Sequence, residues 1–254
     1  MSTINYNIKG KTALVTGGSK GIGLELARNL LEQGVKVAIC GRKQENLDAA
    51  VAQLGGGDSI LAVQAHIAKE GDVNRLFEKV MEEFGRLDIL VNNVGMNLVT
   101  PSIAETEPSL WQKIIESNLS GTYMVSRKAA AIMKEQKTGK IISISSIAGH
   151  RAAPGMGIYG IAKAGIEMMT KVLATELAFF NVQVNAVAPA MIRTEFSKPF
   201  WSNEDIYREI TRSIPMGRIG EPIEVVHPVL FLASEGSGFI TGQTIMVDGG
   251  STAR

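Results

Sequence analysis

The chain has 254 residues, 45% hydrophobic and 20% charged, and its 26 Lys+Arg against 25 Asp+Glu leave a net charge of +1. That length suits one large core, as in many α/β domains, and the balanced charge offers no basic field for nucleic acid or an anionic membrane. The one cysteine, Cys40, excludes an internal disulfide and points to a reducing cytoplasm, "MSTINYNIKGK" lacks an apolar core of signal-peptide length, and no apolar run approaches the roughly 20 residues of a membrane span.

"TALVT" (12–16) is apolar and bounded by "KGK" and a Gly cluster, which predicts a buried strand. "GIGLELARNLLEQG" (21–34) follows as a helix, with Leu24, Ala27, Leu30 and Leu31 on one face and Gly34 as its stop. "VKVAIC" (35–40) is a second strand and "QENLDAAVAQL" a second helix, ended by "GGG". "ILAVQA" (60–65), a helix through Glu83 and "LDILVN" (87–92) repeat the pattern. A long helix from about Ser109 to Gln136 leads to the strand "KIISIS" (140–145), and a helix holding Tyr159 and Lys163 precedes the strand "VQVNAV" (182–187). "QTIMVD" (243–248) closes the series. Continuously apolar strands alternating with helices imply a parallel sheet covered on both faces. The expectation is an α/β fold: one doubly wound Rossmann domain over 1–254, with a seven-stranded parallel sheet.

One stretch breaks the rhythm. "PAMIRTEFSKPFWSNEDIYREITRSIPMGRIGEP" (189–222) has no clean strand and carries Phe196, Phe200 and Trp201. A long irregular insertion in a compact domain is usually functional, so 190–220 is expected to close over a ligand with its aromatic residues. The alternative is a helical subdomain with its own small core.

"TGGSKGIG" (16–23) lies between the first strand and first helix, the context in which glycines let the backbone approach a phosphate at a helix N-terminus. The end of the second strand then selects the dinucleotide. An NAD site carries an acidic residue there for the ribose 2′-hydroxyl, but "CGRKQE" (40–45) offers Arg42, and Lys20 lies within the Gly loop. Two cations and no carboxylate favour a 2′-phosphate, hence NADP(H). Tyr159 and Lys163, in "YGIAK", share one helical face at i and i+4. A cation held close to a phenol favours the phenolate and makes it a usable acid or base nearer neutral pH.

Over nearly its full length the chain resembles the short-chain dehydrogenase/reductase family. The motifs that carry the resemblance are "TGGSKGIG", "NNVG" (92–95), "SNLSG" (117–121), "SSIAG" (145–149), "YGIAK", "NAVAPA" (185–190) and "SGFITGQTIMVDGG" (237–250). It implies hydride transfer between a nicotinamide and a ketone or secondary alcohol. In this scheme Tyr159 is the general acid/base, and Lys163 lowers its pKa and binds the nicotinamide ribose. A Ser at the end of the fifth strand polarises the substrate oxygen; the family's thirteen-residue spacing to the Tyr selects Ser146 over Ser145. Asn118 bends the long helix and anchors a water linked to Lys163. For the cofactor the resemblance implies Gly17, Ser19, Lys20, Gly21, Ile22 and Gly23 of the loop, with Arg42, His66, Ile67, Asn93, Gly95, Pro189, Ile192 and Thr194. Val94, Ala190 and His66 replace the family's usual Ala, Gly and Asp.

The remaining candidates are weaker. A contact of His150 with substrate is the lesser reading beside a loop histidine satisfied by backbone, and His227 reads as structural. One Cys and three scattered His show no metal-ligand spacing. Met156, Met168, Met169 and Met191 read as core or pocket wall. A sugar or polyol dehydrogenase, a non-catalytic NADP-binding regulator and an epimerase are the alternatives. The regulator can dispense with the Tyr that is kept here, and an epimerase usually has a longer chain. The resemblance also implies a homotetramer pairing helices 109–136 and 158–180, with Phe179 and Phe180 at or near an interface. Ala131 and Phe180 stand where relatives that reduce 3-oxoacyl groups on acyl carrier protein have arginines, so a free ketone, or an acyl group on a small carrier, is the expected substrate.

Overall fold

The computed structural model describes residues 4–98, 100 and 102–253. β1 (Thr12–Thr16) is buried at every position, as a strand covered on both faces must be. Side-chain alternation splits it between two cores: Ala13 and Val15 face one, Leu14 the other. The first core is closed by Leu26, Ala27 and Leu30 of α1 (Gly21–Glu32), Leu47 of α2 (Gln44–Gln53) and Val225, Val226 and Val229 of α9 (Pro222–Ala233). The second is closed by Leu76 and Val80 of α3 (Glu70–Phe84), Val125 and Met133 of α5 (Gly121–Gln136) and Ala174 of α6 (Gly157–Leu177). Each fully buried Val, Leu or Ile in these layers contributes about 1.5–3 kcal/mol.

β2 (Lys36–Gly41), β3 (Ile60–Gln64), β4 (Ile89–Asn92), β5 (Gly139–Ile144), β6 (Val182–Pro189) and β7 (Thr244–Val247) complete the sheet. Among the described residues it has seven strands, ordered β3-β2-β1-β4-β5-β6-β7, and every pair is parallel. This is the doubly wound Rossmann fold expected from the alternation. The chain runs outward from β1 to β3, then returns to pair β4 with β1. A crevice opens where the order reverses, beyond the carboxyl ends of β1 and β4.

Two expectations need correction. The helix expected over 109–136 is not continuous: α4 (Pro108–Ile115) and α5 are joined by a π turn at Glu116–Ser120, with Asn118 fully buried in it. The segment 189–222 contains two short helices, α7 (Lys198–Trp201) and α8 (Glu204–Arg212), and a parallel bridge between Ile192 and Gly220 pins its ends together. No helix is long and apolar enough to cross a membrane among the described residues.

Surface positions divide the two phenylalanines. Phe180 packs against the second core beneath the Lys134 ammonium, 4.6 Å from its ring centroid, whereas Phe179 is 94% exposed and meets only the edge of Phe180. Phe239, ahead of β7, is fully exposed. Met168 is also a surface residue, not core, because it occupies the outward face of α6. His227 on α9 meets the Tyr6 hydroxyl through Nδ1 at 2.9 Å, a structural role that ties down the N-terminal segment.

Candidate active site

At the nucleotide end the site is made of backbone. Gly17 and Gly21 have positive φ, 65° and 54°, which other residues adopt only with strain. Gly18 and Gly23 are required for space. A Cβ on Gly18 would lie 2.5 Å from Ile39 Cγ2, and one on Gly23 would lie 2.4 Å from both Asn93 Nδ2 and the Gly17 carbonyl oxygen. The loop is fastened from below: the Asn93 amide donates to the carbonyls of Thr16 and Gly17 at 3.0 and 3.2 Å. Asn93 therefore shapes the loop, and Val94 leans against Gly17 from the same turn. Lys20 is the N-cap of α1 and makes no side-chain cap, so the first amides of that helix remain available to an anion.

This cradle fits a dinucleotide pyrophosphate. It opens into a cleft of about 1500 Å³, lined also by Ser19, Ile22, Arg42, His66, Ile67 and Gly95. Thr194 folds over the loop, its methyl carbon 3.4 Å from where a Gly21 Cβ would stand. Pro189 and Ile192 line the same wall, and Ala190 continues the sheet by donating to the Val247 carbonyl at 3.0 Å. The His66 ring is partly occupied by its own turn, its Nδ1 accepting from Ala68 N–H at 3.2 Å. Lys20 and Arg42 are exposed and form no ion pair among the described residues, whereas Lys43 pairs with Glu45 at 3.4 Å.

Beyond the Gly loop lie the polar residues expected to do chemistry. Ser146 follows β5 and caps the short 3₁₀ turn Ile147–Gly149, accepting from Ala148 N–H at 3.2 Å. Its hydroxyl lies near enough to the Tyr159 phenol to oppose part of the rise in that group's pKa. Ser145 is committed elsewhere: it donates to the Lys163 carbonyl at 3.3 Å and to Glu167 Oε1 at 2.8 Å. The two serines thus differ in what each side chain already holds.

Burial dominates the Tyr159–Lys163 pair. Burial pushes the phenol up to about 12, and Ser146 only partly opposes this. Lys163, 2% exposed, donates to the Ile144 carbonyl at 2.7 Å and stands 5.4 Å from the Tyr159 ring centroid. Desolvation outweighs every opposing influence on the phenol. Desolvation brings Lys163 itself down to about 8.

Asn118 acts through the backbone. Its Oδ1 accepts from Met96 N–H at 3.0 Å, and its Nδ2 donates to the carbonyls of Met96 and Ile114, both at 2.8 Å. In a π turn the backbone N–H bonds five residues back, which leaves the Ile114 carbonyl for the side chain. Asn118 Oδ1 and Lys163 Nζ each lie 3.6 Å from one point, the place of a Cβ on Gly95.

The other end of the cleft is walled by Ile147, Ala152, Pro154, Met156, Phe196 and Phe200. Both readings of the 189–222 segment hold in part. Phe196 and Phe200 line the cleft, but Trp201 does not: its indole donates to the Thr194 carbonyl at 3.2 Å and lies under Arg193, 5.0 Å from the guanidinium. Ser197 anchors the segment by donating to the Ile192 carbonyl. His150 is exposed and absent from the lining, because its turn points the neighbouring Arg151 there. The sequence reading missed Arg151, Glu209 and Asn97; the only signal for Arg151 was its place between the motif Ser and the motif Tyr. Among the described residues no group of His, Cys, Asp and Glu is placed to hold a metal.

Residues 17–252 match a family model described as Enoyl-(Acyl carrier protein) reductase. Dehydrogenase/reductase SDR family member 4 of Bos taurus is 37% identical across 95% of this chain and 87% of its own, and the Caenorhabditis elegans protein of that name is 35% identical across 97% and 96%. The crystal structure of an Agrobacterium tumefaciens protein provisionally described as a gluconate dehydrogenase superposes with a TM-score of 0.92 at 32% identity, covering 98% of both chains. Matches of this extent agree with a Gly loop, a half-buried Tyr beside a buried Lys and a Ser at a strand end gathered in one crevice, and the chain belongs to the short-chain dehydrogenase/reductase family.

Proposed function

We propose that the whole chain is one NADP(H)-dependent oxidoreductase domain that reduces a ketone, reversibly, with Tyr159, Ser146, Lys163 and Asn118 as its working residues. One observation carries this reading: Tyr159, Ser146 and Lys163 line the same cleft as the Gly17–Gly21 cradle. A bound reduced nicotinamide supplies the hydride. The chain's part is the proton and the charge. Tyr159 Oη donates to the carbonyl oxygen as negative charge develops there, and Ser146 Oγ holds the same oxygen. Burial keeps the phenol protonated at neutral pH, so it holds the proton that reduction of the carbonyl consumes. Lys163, whose ammonium flanks Gly95 together with Asn118 Oδ1, returns the proton to Tyr159.

Free cations at Lys20 and Arg42 support NADP(H) over NAD(H). NADPH is expected to bind at least tenfold tighter than NADH, about 1.4 kcal/mol, and Arg42→Asp should narrow or reverse the ratio. Equal affinities in the unaltered protein would remove the charge argument. The reaction itself is tested by following NADPH absorbance over a ketone panel. Tyr159→Phe should lower turnover at least ~10²-fold with NADPH binding retained. Substantial activity in that variant would mean another group moves the proton.

A sugar or polyol dehydrogenase is the second reading. Asn97 Oδ1 is buried at the cleft with no hydrogen-bond partner among the described residues, an acceptor suited to a substrate hydroxyl, and one structural neighbour is described by the name gluconate. Reduction of a 3-oxoacyl group on acyl carrier protein is less supported, since Ala131 and Phe180 present no charge to an acidic partner. We infer a homotetramer on the strength of Phe179 and Phe239, two fully exposed phenylalanines that a second copy could cover; a monomeric mass in solution would refute it. Buried, reduced Cys40 agrees with a cytoplasmic setting.

A further inference from the structure

We propose that Arg151 recognises a carboxylate on the substrate, so that the ketone reduced is an oxo acid; this rests on the oxidoreductase reading above. Arg151 lies five positions after Ser146, in the loop that leads to Tyr159, and lines the substrate end of the cleft. Its guanidinium is anchored on one side only. Nη1 donates to the Ser251 carbonyl at 3.0 Å, and Ser251 is itself buried. Asp248 is close enough for its charge to be felt, but its carboxylate is already engaged by Gly250 N–H at 2.9 Å, Thr252 N–H at 2.8 Å and the Thr252 hydroxyl at 2.6 Å. Among the described residues Arg151 forms no ion pair, so the rest of its planar fork of donors is unspent. A guanidinium already fixed by a backbone carbonyl loses little freedom on meeting an anion, and a carboxylate matches its geometry with two parallel hydrogen bonds.

The surroundings select the anion further. The wall around Arg151 is mostly apolar, which suits a hydrocarbon spacer between the carboxylate and the carbonyl at Tyr159. Two acids line the cleft from the 190–220 segment: Glu195, paired with Lys198 at 3.6 Å, and Glu209, exposed on α8. Glu209 has no fixed geometry of this kind, and it opposes the acid where Arg151 attracts it. The order of preference is therefore acid over ester, with Glu209 reducing the margin.

The test compares oxo carboxylates with their methyl esters, with NADPH as reductant, in the unaltered protein, Arg151→Lys, Arg151→Ala and Glu209→Gln. In the unaltered protein kcat/KM for the acid should exceed that for the ester by roughly 10- to 100-fold, the span of a charge-assisted pair. The ratio should fall to about one in Arg151→Ala, be intermediate in Arg151→Lys and rise in Glu209→Gln. A ratio near one in the unaltered protein, which needs no variant to fold, overturns the inference, as does a ratio that survives Arg151→Ala. Binding of hydroxy carboxylates to the enzyme–NADP complex, measured by calorimetry, separates the two readings. Arg151-dependent binding without any NADPH oxidation would keep the carboxylate site but sink the reductase and with it the oxo-acid substrate; oxidation with neutral ketones but no carboxylate binding would keep the reductase and sink the site.

Discussion

The two ends of the cleft are built on opposite plans. At the nucleotide end the walls are backbone: Gly18 and Gly23 have no room for a methyl group, and Asn93 fastens the loop from beneath. At the substrate end the walls are side chains on short helices and turns, with Phe196 58% exposed and Arg151 held at one nitrogen. The difference teaches where change is costly. A surface made of main chain can be altered only by moving the fold, whereas one made of side chains is re-cut residue by residue.

The largest break should come from Gly23→Ala. Its new carbon would meet the Gly17 carbonyl oxygen at 2.4 Å, and backbone cannot step aside as a flexible side chain does. Overpacking of this kind costs about 1–3 kcal/mol, so denaturation midpoints should fall and cofactor affinity with them. Unchanged nucleotide binding would show that the cradle is looser than its geometry. An intermediate effect is expected from pH. Lys163 has a folded pKa of about 8, below its ordinary 10.5, so the unfolded chain holds more protons between those values. Stability of the cofactor-free protein should therefore rise as pH climbs through that window. Lys140, also brought to about 8 by burial, adds to the rise, and Lys163→Met should flatten part of it in urea titrations. Above pH 10 the raised Tyr159 reverses the trend, because the unfolded phenol gives up its proton first. The smallest stability effect belongs to Phe196→Ala. An exposed ring should cost within about 0.5 kcal/mol, yet KM for a bulky ketone should increase. Loss of folding in that variant would mean that the 190–220 segment is core rather than cover.

Most of the fold was legible because its signals are local. β1 was readable from five apolar residues between Gly clusters, and the crevice followed from strand and helix alternation. The site residues were legible as motifs, but their partners were not. Nothing in "SISS" shows that Ser145 is spent on Glu167 while Ser146 is left for Tyr159, since that depends on the registry of β5 against α6. Spacing likewise brings Tyr159 and Lys163 onto one face, but whether the ammonium reaches the hydroxyl depends on the Ile144 carbonyl across the sheet. Trp201 misled for a similar reason. A large aromatic in a loop reads as a cover, and only the cation of Arg193 reveals it as internal packing.

The π turn at Glu116–Ser120 makes chain length itself part of the active site. Five residues there do the work that four would do in a regular ladder, and the surplus is what turns the Asn118 amide toward Met96. A surface loop absorbs a one-residue deletion with little consequence. The same deletion between Lys113 and Thr122 would let the ladder close as ordinary α-helix, rotating α4 against α5 by about 100°. Both segments would still be helical, and their hydrophobic faces would still exist, but they would no longer share a bearing. This helix thus behaves like a vernier scale, in which one unit of length sets the direction of a single side chain.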